Sequence, residues 1–121
     1  MNPAEIFDRK VYDVLVSELG AEDAAEVLGC FLADTSGKLT RLASQTLDLQ
    51  TTEREAHSIK SSAATFGFFE LSRLAQELET SGQAMSPGQL QAAVAGLQHS
   101  FAVVRGLAEA ILTVESEETA T

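Results

Sequence analysis

The 121-residue chain has one cysteine, two prolines, no tryptophan and only eight basic side chains, and each shortage closes off a class of protein. A single cysteine, Cys30, forbids an intrachain disulfide, and neither a C-x-x-C pair nor an H-E-x-x-H signature is present to build a zinc site. No run approaches the ~18 consecutive apolar residues of a membrane-spanning helix. Met1-Asn2-Pro3-Ala4-Glu5 lacks the basic and apolar regions of a signal peptide, so a cytoplasmic location is expected. Eight basic against eighteen acidic residues leave a formal charge of −10, whose mean field repels phosphate backbones and anionic lipid heads. Nucleic acid and membranes are therefore poor partners. The chain also lacks G-x-G-x-x-G, G-x-x-x-x-G-K-[ST] and any strand-like alternation, which excludes a self-contained nucleotide enzyme. Any phosphate it handles must arrive from another protein.

What is present is a helical vocabulary. Hydrophobic residues make up 45%, led by eighteen alanines and fifteen leucines, and β-branched runs are short. At this mass a folded chain buries about two thirds of its unfolded surface, enough for one domain spanning 1–121 without staples. The reading is all-α: an antiparallel up-down four-helix bundle over 22–114, a short accessory N-terminal helix within 1–20, and a flexible acidic tail at 115–121. In the accessory helix, after Asn2-Pro3 or Asp8 as N-cap, Phe7, Val11, Val14, Leu15 and Leu19 recur at helical spacing until Gly20. A long helix is expected over 22–49, with Ala24, Val27, Leu28, Phe31, Leu32, Thr35, Leu39, Leu42, Thr46 and Leu49 on one stripe and Ser36-Gly37 as a candidate kink. Thr52-Glu53-Arg54-Glu55 reads as a capping box opening a helix over 52–66, whose inward stripe is Ala56, Ile59, Ala63 and Phe66. Gly67 ends or bends it, and Phe68, Leu71, Leu74, Ala75 and Leu78 carry an antiparallel partner over 68–81. Ser86-Pro87-Gly88-Gln89 then caps a last helix over 87–114, where Leu90, Val94, Leu97, Phe101, Val104, Ala108 and Ile111 form a bundle seam. Four stripes that can satisfy one another predict a monomer.

One position breaks the pattern. At about 100° per residue, His57, Lys60, Ser61 and Ala64 centre roughly 130° from the inward stripe, which points His57 to solvent. Only Ser61 and Ala64 follow it at i+4 and i+7, so another protein can approach the ring. Lys60 at i+3 and Arg54 at i−3 place cations beside it, where the charge suits an anion. Exposure, access and a neighbouring cation are what a phosphoryl-accepting histidine needs, although an ordinary surface histidine has the same spacing.

The stretch Ala56 to Glu79, AHSIKSSAATFGFFELSRLAQELE, resembles the signature of the histidine-containing phosphotransfer (HPt) domains of two-component phosphorelays, through His57, Ile59, Lys60, Ser62, Ala63, Gly67, Leu71, Leu74, Leu78 and Glu79. Ser61 departs from the glycine usual after the lysine. The resemblance implies a phosphorelay intermediate rather than an enzyme. His57 would accept a phosphoryl group from a receiver-domain aspartyl phosphate and pass it to another receiver aspartate, with Lys60 as electrostatic support. The implied partners are receiver domains of hybrid histidine kinases and response regulators, docking over Arg54, Ser58, Ser61, Ala64, Gly67 and Phe69. No intrinsic cofactor or metal is implied, because the receiver supplies the Mg²⁺.

The remaining candidates read more plainly. His99 is off its seam, with no carboxylate or cysteine at ligand spacing, and is expected to be solvated. Cys30, beside Phe31, is expected to be a buried small hydrophobe. Ser58, Ser61 and Ser62 are near a histidine in sequence, but no carboxylate is expected in place to orient a Ser-His dyad. Phe66 and Phe68 continue the inward stripes, with Phe69 at the rim. The competing functions are an interaction module that docks without being phosphorylated, and a phosphatase or dimeric helical enzyme, which would require a second polar residue next to the histidine or an extra domain, and for that domain the chain has no room.

Overall fold

The computed structural model describes residues 6–44 and 48–120, with side chains through Thr113. All regular structure among them is helical: α1 (Arg9–Leu19), α2 (Ala21–Leu42), α3 (Leu49–Thr65), α4 (Phe69–Ser81), a 3-10 turn (Gly82–Ala84) and α5 (Pro87–Ala120).

Asp8 caps α1, its carboxylate accepting from the Lys10 N–H at 3.0 Å. The core residue of α1 is not on the expected stripe. Tyr12 is fully buried, whereas Val14 and Leu19 are 55% and 43% exposed. Phe7, just before the helix, stacks on Phe68 with ring centroids 4.9 Å apart, and Phe31 lies 5.7 Å from Phe68 and 5.0 Å from Phe66. This aromatic cluster ties the N-terminal segment to α2 and to the α3–α4 turn, each buried ring contributing roughly 2 kcal/mol of apolar transfer.

Gly20, at φ +88°, makes the whole connection from α1 to α2. Helix α2 buries Ala24, Leu28, Phe31, Thr35, Leu39 and Leu42, and it runs through Gly37 as one helix. Cys30 is exposed, contrary to expectation, because Leu28 and Phe31 take the inward positions and residue 30 falls about 100° past the edge of that stripe. The helix ends at Leu42, short of the expected 49. Thr46 lies outside the described residues. Leu49 is exposed and opens α3.

The expected capping box at Thr52 is replaced by an earlier cap. The Asp48 carboxylate accepts from the Thr51 N–H at 2.7 Å, a bond that holds its acid below the usual carboxylate range, and a charged acceptor also suits the positive end of the helix. Thr52 sits inside α3 and donates its hydroxyl to Asp48 O at 2.9 Å, while Glu55 pairs with Arg41 at 3.2 Å.

The α3–α4 turn is a Schellman cap. Gly67 N–H donates to Ala64 O at 3.1 Å and Phe68 N–H to Ala63 O at 2.9 Å, with Gly67 at φ +85°. A second demand fixes the glycine. A Cβ there would lie 2.6 Å from Asp8 O and 3.0 Å from Val11 Cβ, while the Gly67 carbonyl accepts from Asp8 N–H at 2.9 Å. The start of α1 thus rests directly on the turn.

At α5 the expected capping box is made: Gln89 N–H donates to Ser86 Oγ at 3.2 Å and Ser86 N–H to Gln89 Oε1 at 2.8 Å. Val94, Leu97, Phe101, Val104, Ala108 and Ile111 are buried along its seam. The helix passes the expected end at 114 and continues to Ala120, since no glycine or proline follows Gly106 to stop it. No helix is long and apolar enough to cross a membrane among the described residues.

Candidate functional site

His57 projects from the middle of α3, its side chain 61% exposed, on the face away from the buried Ala56, Ile59 and Ala63. Helices α3 and α4 run antiparallel, since Gln83, Glu79 and Ser72 meet Glu53, His57 and Lys60 in turn. That register brings Glu79, 22 positions downstream, beside the ring. Its Oε1 lies 2.9 Å from His57 Nδ1 and its Oε2 3.0 Å from Lys60 Nζ. The hydrogen bond from His57, and then that from Lys60, hold the Glu79 acid below the usual carboxylate range. An ionised carboxylate only accepts, so Nδ1 carries the proton of a neutral ring. The lone pair is then on Nε2.

The other rim comes from α2. Lys38 Nζ donates to Ser58 Oγ at 2.6 Å and pairs with Asp34, and Arg41 binds Glu55 one turn earlier. Lys38 is only 13% exposed. Ser58 is therefore half-buried with its hydroxyl engaged. Between the rims lie Ser61, exposed, and Arg54, exposed and in no ion pair among the described residues. Ala64 is half-buried one turn further on, and Phe69 is exposed at the start of α4. Gly67, expected on the partner-binding face, is buried beneath Asp8 and Val11, where its work is to let α1 approach. Ser62, next to Ala63, turns its hydroxyl back to Ser58 O at 2.9 Å.

Four of the eight basic residues, Lys38, Arg41, Arg54 and Lys60, thus gather on α2 and α3 around the histidine, in a chain of net charge −10. Sequence reasoning missed Glu79 as part of the site. Its one signal was the Leu78-Glu79 ending of the motif, and nothing in local spacing shows which residue of α4 faces His57. No three His, Cys, Asp or Glu side chains come together to hold a metal among the described residues, and Glu79 is taken up by His57 and Lys60.

The family model for the Hpt domain matches residues 26–114. Among solved structures, the chain is similar to histidine-containing phosphotransfer protein B (HptB) from Pseudomonas aeruginosa PAO1, at 25% identity and a TM-score of 0.83, over 93% of this chain and 97% of that one. No curated protein sequence matches. These likenesses support a phosphotransfer role in two-component signalling, and the chain belongs to the Hpt domain family.

Proposed function

We propose that the protein is a phosphorelay intermediate in which His57 Nε2 accepts a phosphoryl group from a receiver-domain aspartyl phosphate and passes it to another receiver aspartate. The observation that carries this reading is the bond from His57 Nδ1 to Glu79, which leaves Nε2 as the nucleophilic lone pair on an open helix face. The small Ser61 one turn on leaves room for in-line approach, and Lys60 offers an ammonium to the incoming charge. The four long helices are read as an up-down antiparallel bundle. Their paired contacts support this: Lys38 and Arg41 of α2 meet Ser58 and Glu55 of α3, and the order reverses again from α3 to α4. The partners are receiver domains of hybrid kinases and response regulators, docking over Arg54, Ser58, Ser61, Ala64 and Phe69. The receiver brings Mg²⁺ and its own acidic pocket, and this chain acts as a cytoplasmic monomer that relays phosphate rather than as an enzyme. Incubation with a phosphorylated receiver and magnesium is expected to give acid-labile, alkali-stable phosphate on the protein. Docking without phosphate uptake would instead make it an interaction module.

A further inference from the structure

His57 and Lys60 share one carboxylate, and its job before phosphate arrives differs from its job afterwards. In the resting ring Nδ1–H donates to Glu79 Oε1 at 2.9 Å. When the Nε2 lone pair bonds to phosphorus, the P–O bond of the acyl phosphate breaks and its electron pair leaves with the receiver's carboxylate. The ring then carries substituents on both nitrogens and a full positive charge, and the Nδ1 proton has not moved. A phosphorylated imidazole in water sheds that proton readily and becomes a poor leaving group. Held as the cation it leaves easily, because the P–N electron pair returns to a nitrogen of a neutral ring.

We propose that Glu79 is a positioning residue that keeps the phosphorylated ring protonated, so that no proton crosses in either direction of transfer and the P–N bond stays ready to break. Glu79 thereby sets the lifetime of the phosphohistidine and the reversibility of the relay. The inference rests on His57 being the acceptor. The charged groups around the ring are few. Glu79 faces it from α4, Lys60, Arg54 and Glu53 flank it on α3, the last bound by Gln83, and on the α2 rim Lys38 and Arg41 are turned to Asp34, Ser58 and Glu55. Glu79 is thus the one anion placed on Nδ1 among the described residues. Lys60, 3.0 Å from its second oxygen, tempers its charge but is itself drawn toward the phosphoryl oxygens once they arrive.

The test needs no receiver. Wild-type and Glu79→Gln proteins, both carrying His99→Gln so that His57 is the one histidine, are phosphorylated with phosphoramidate, and loss of the phosphate is followed by ³¹P NMR from mildly acidic to mildly alkaline pH. Glutamine keeps an oxygen that accepts from Nδ1–H and removes the charge. The expected result is phosphate on Nε2 in both, lost about three- to tenfold more slowly from Glu79→Gln near neutral pH, as fits exchange of a charge-assisted for a neutral hydrogen bond. The fall in rate with rising pH should also come at lower pH in the variant. Equal lifetimes with superimposable pH profiles, or phosphate on Nδ1, overturn the inference. Uptake by wild type from a phosphorylated receiver is measured separately. Its failure would sink the relay while leaving the lifetime comparison standing, and equal lifetimes with intact uptake would sink this inference alone.

Discussion

The chain has two histidines, both exposed on helix faces, and only one has company. His99 on α5 lies among Ala95, Gly96, Ala102 and Val103 and makes no hydrogen bond or ion pair among the described residues. His57 on α3 has its Nδ1 bound to Glu79, an ammonium sharing that carboxylate, and Arg54 one turn back. Solvent access alone therefore does not set the two rings apart. What distinguishes the two rings is a carboxylate on Nδ1 and an ammonium sharing it, and the first of these comes from a different helix.

The comparison can be broken at several points. The largest effect is expected from His57→Gln, which should abolish phosphate uptake from a labelled receiver. Its melting midpoint should hardly move, since an exposed side chain contributes under about 1 kcal/mol. Residual uptake would return His57 to the standing of His99. Ser61→Arg comes next. A long side chain one turn on obstructs in-line approach, and a drop of at least about tenfold in the initial transfer rate is expected. An unchanged rate would mean that receivers do not dock over this face. Lys60→Ala should slow transfer by about fivefold or less, the scale of a partly exposed, salt-screened contact, and the deficit should shrink as salt is raised.

A smaller effect is expected in stability against pH. Asp48, bonded by Thr51, Glu70, bonded by Arg73, and Glu79, bonded by His57 and Lys60, are all acids held below their unfolded values. Their stabilisation is complete above the ordinary carboxylate range and is lost as pH falls through the lower folded values. Thermal melts of wild type and Glu79→Gln should therefore differ slightly near neutral pH and converge in acid. A gap that widens in acid would reverse the sign. At the small end, His99→Gln should leave uptake, rate and melting unchanged, and any loss of transfer would show that α5 belongs to the docking surface.

Much of this was legible in the sequence, for identifiable reasons. The seam of α5 and its Ser86–Gln89 cap follow from spacing and cap chemistry within one helix, and the inward stripe of α3 leaves His57 outside by periodicity alone. The start of α3 was misplaced because Asp48 and Thr52 both offer capping oxygens, and the charged one wins. Tyr12, outside the expected stripe of α1, is buried while Val14 and Leu19 of that stripe are exposed, because that helix buries whichever face its neighbours present, which its own period does not specify. Glu79 was hidden for the same reason. Its meeting with His57 depends on the register of two helices across a turn, and that register is a tertiary fact.

The close contact at Gly67 has a further consequence. Residues 8 and 67 act as the two halves of a lock, and the missing side chain is what lets them close. Substitutions at the two places should therefore be non-additive. With α1 in place, Gly67→Ala must both hold a left-handed backbone and push Asp8 away, a loss of about 2 kcal/mol or more. In a chain trimmed to begin at α2 the second demand vanishes and only the backbone strain remains. A glycine that resembles punctuation in a motif is thus also a record of a neighbour lying outside the matched 26–114 segment, and its tolerance of change depends on whether that neighbour is there.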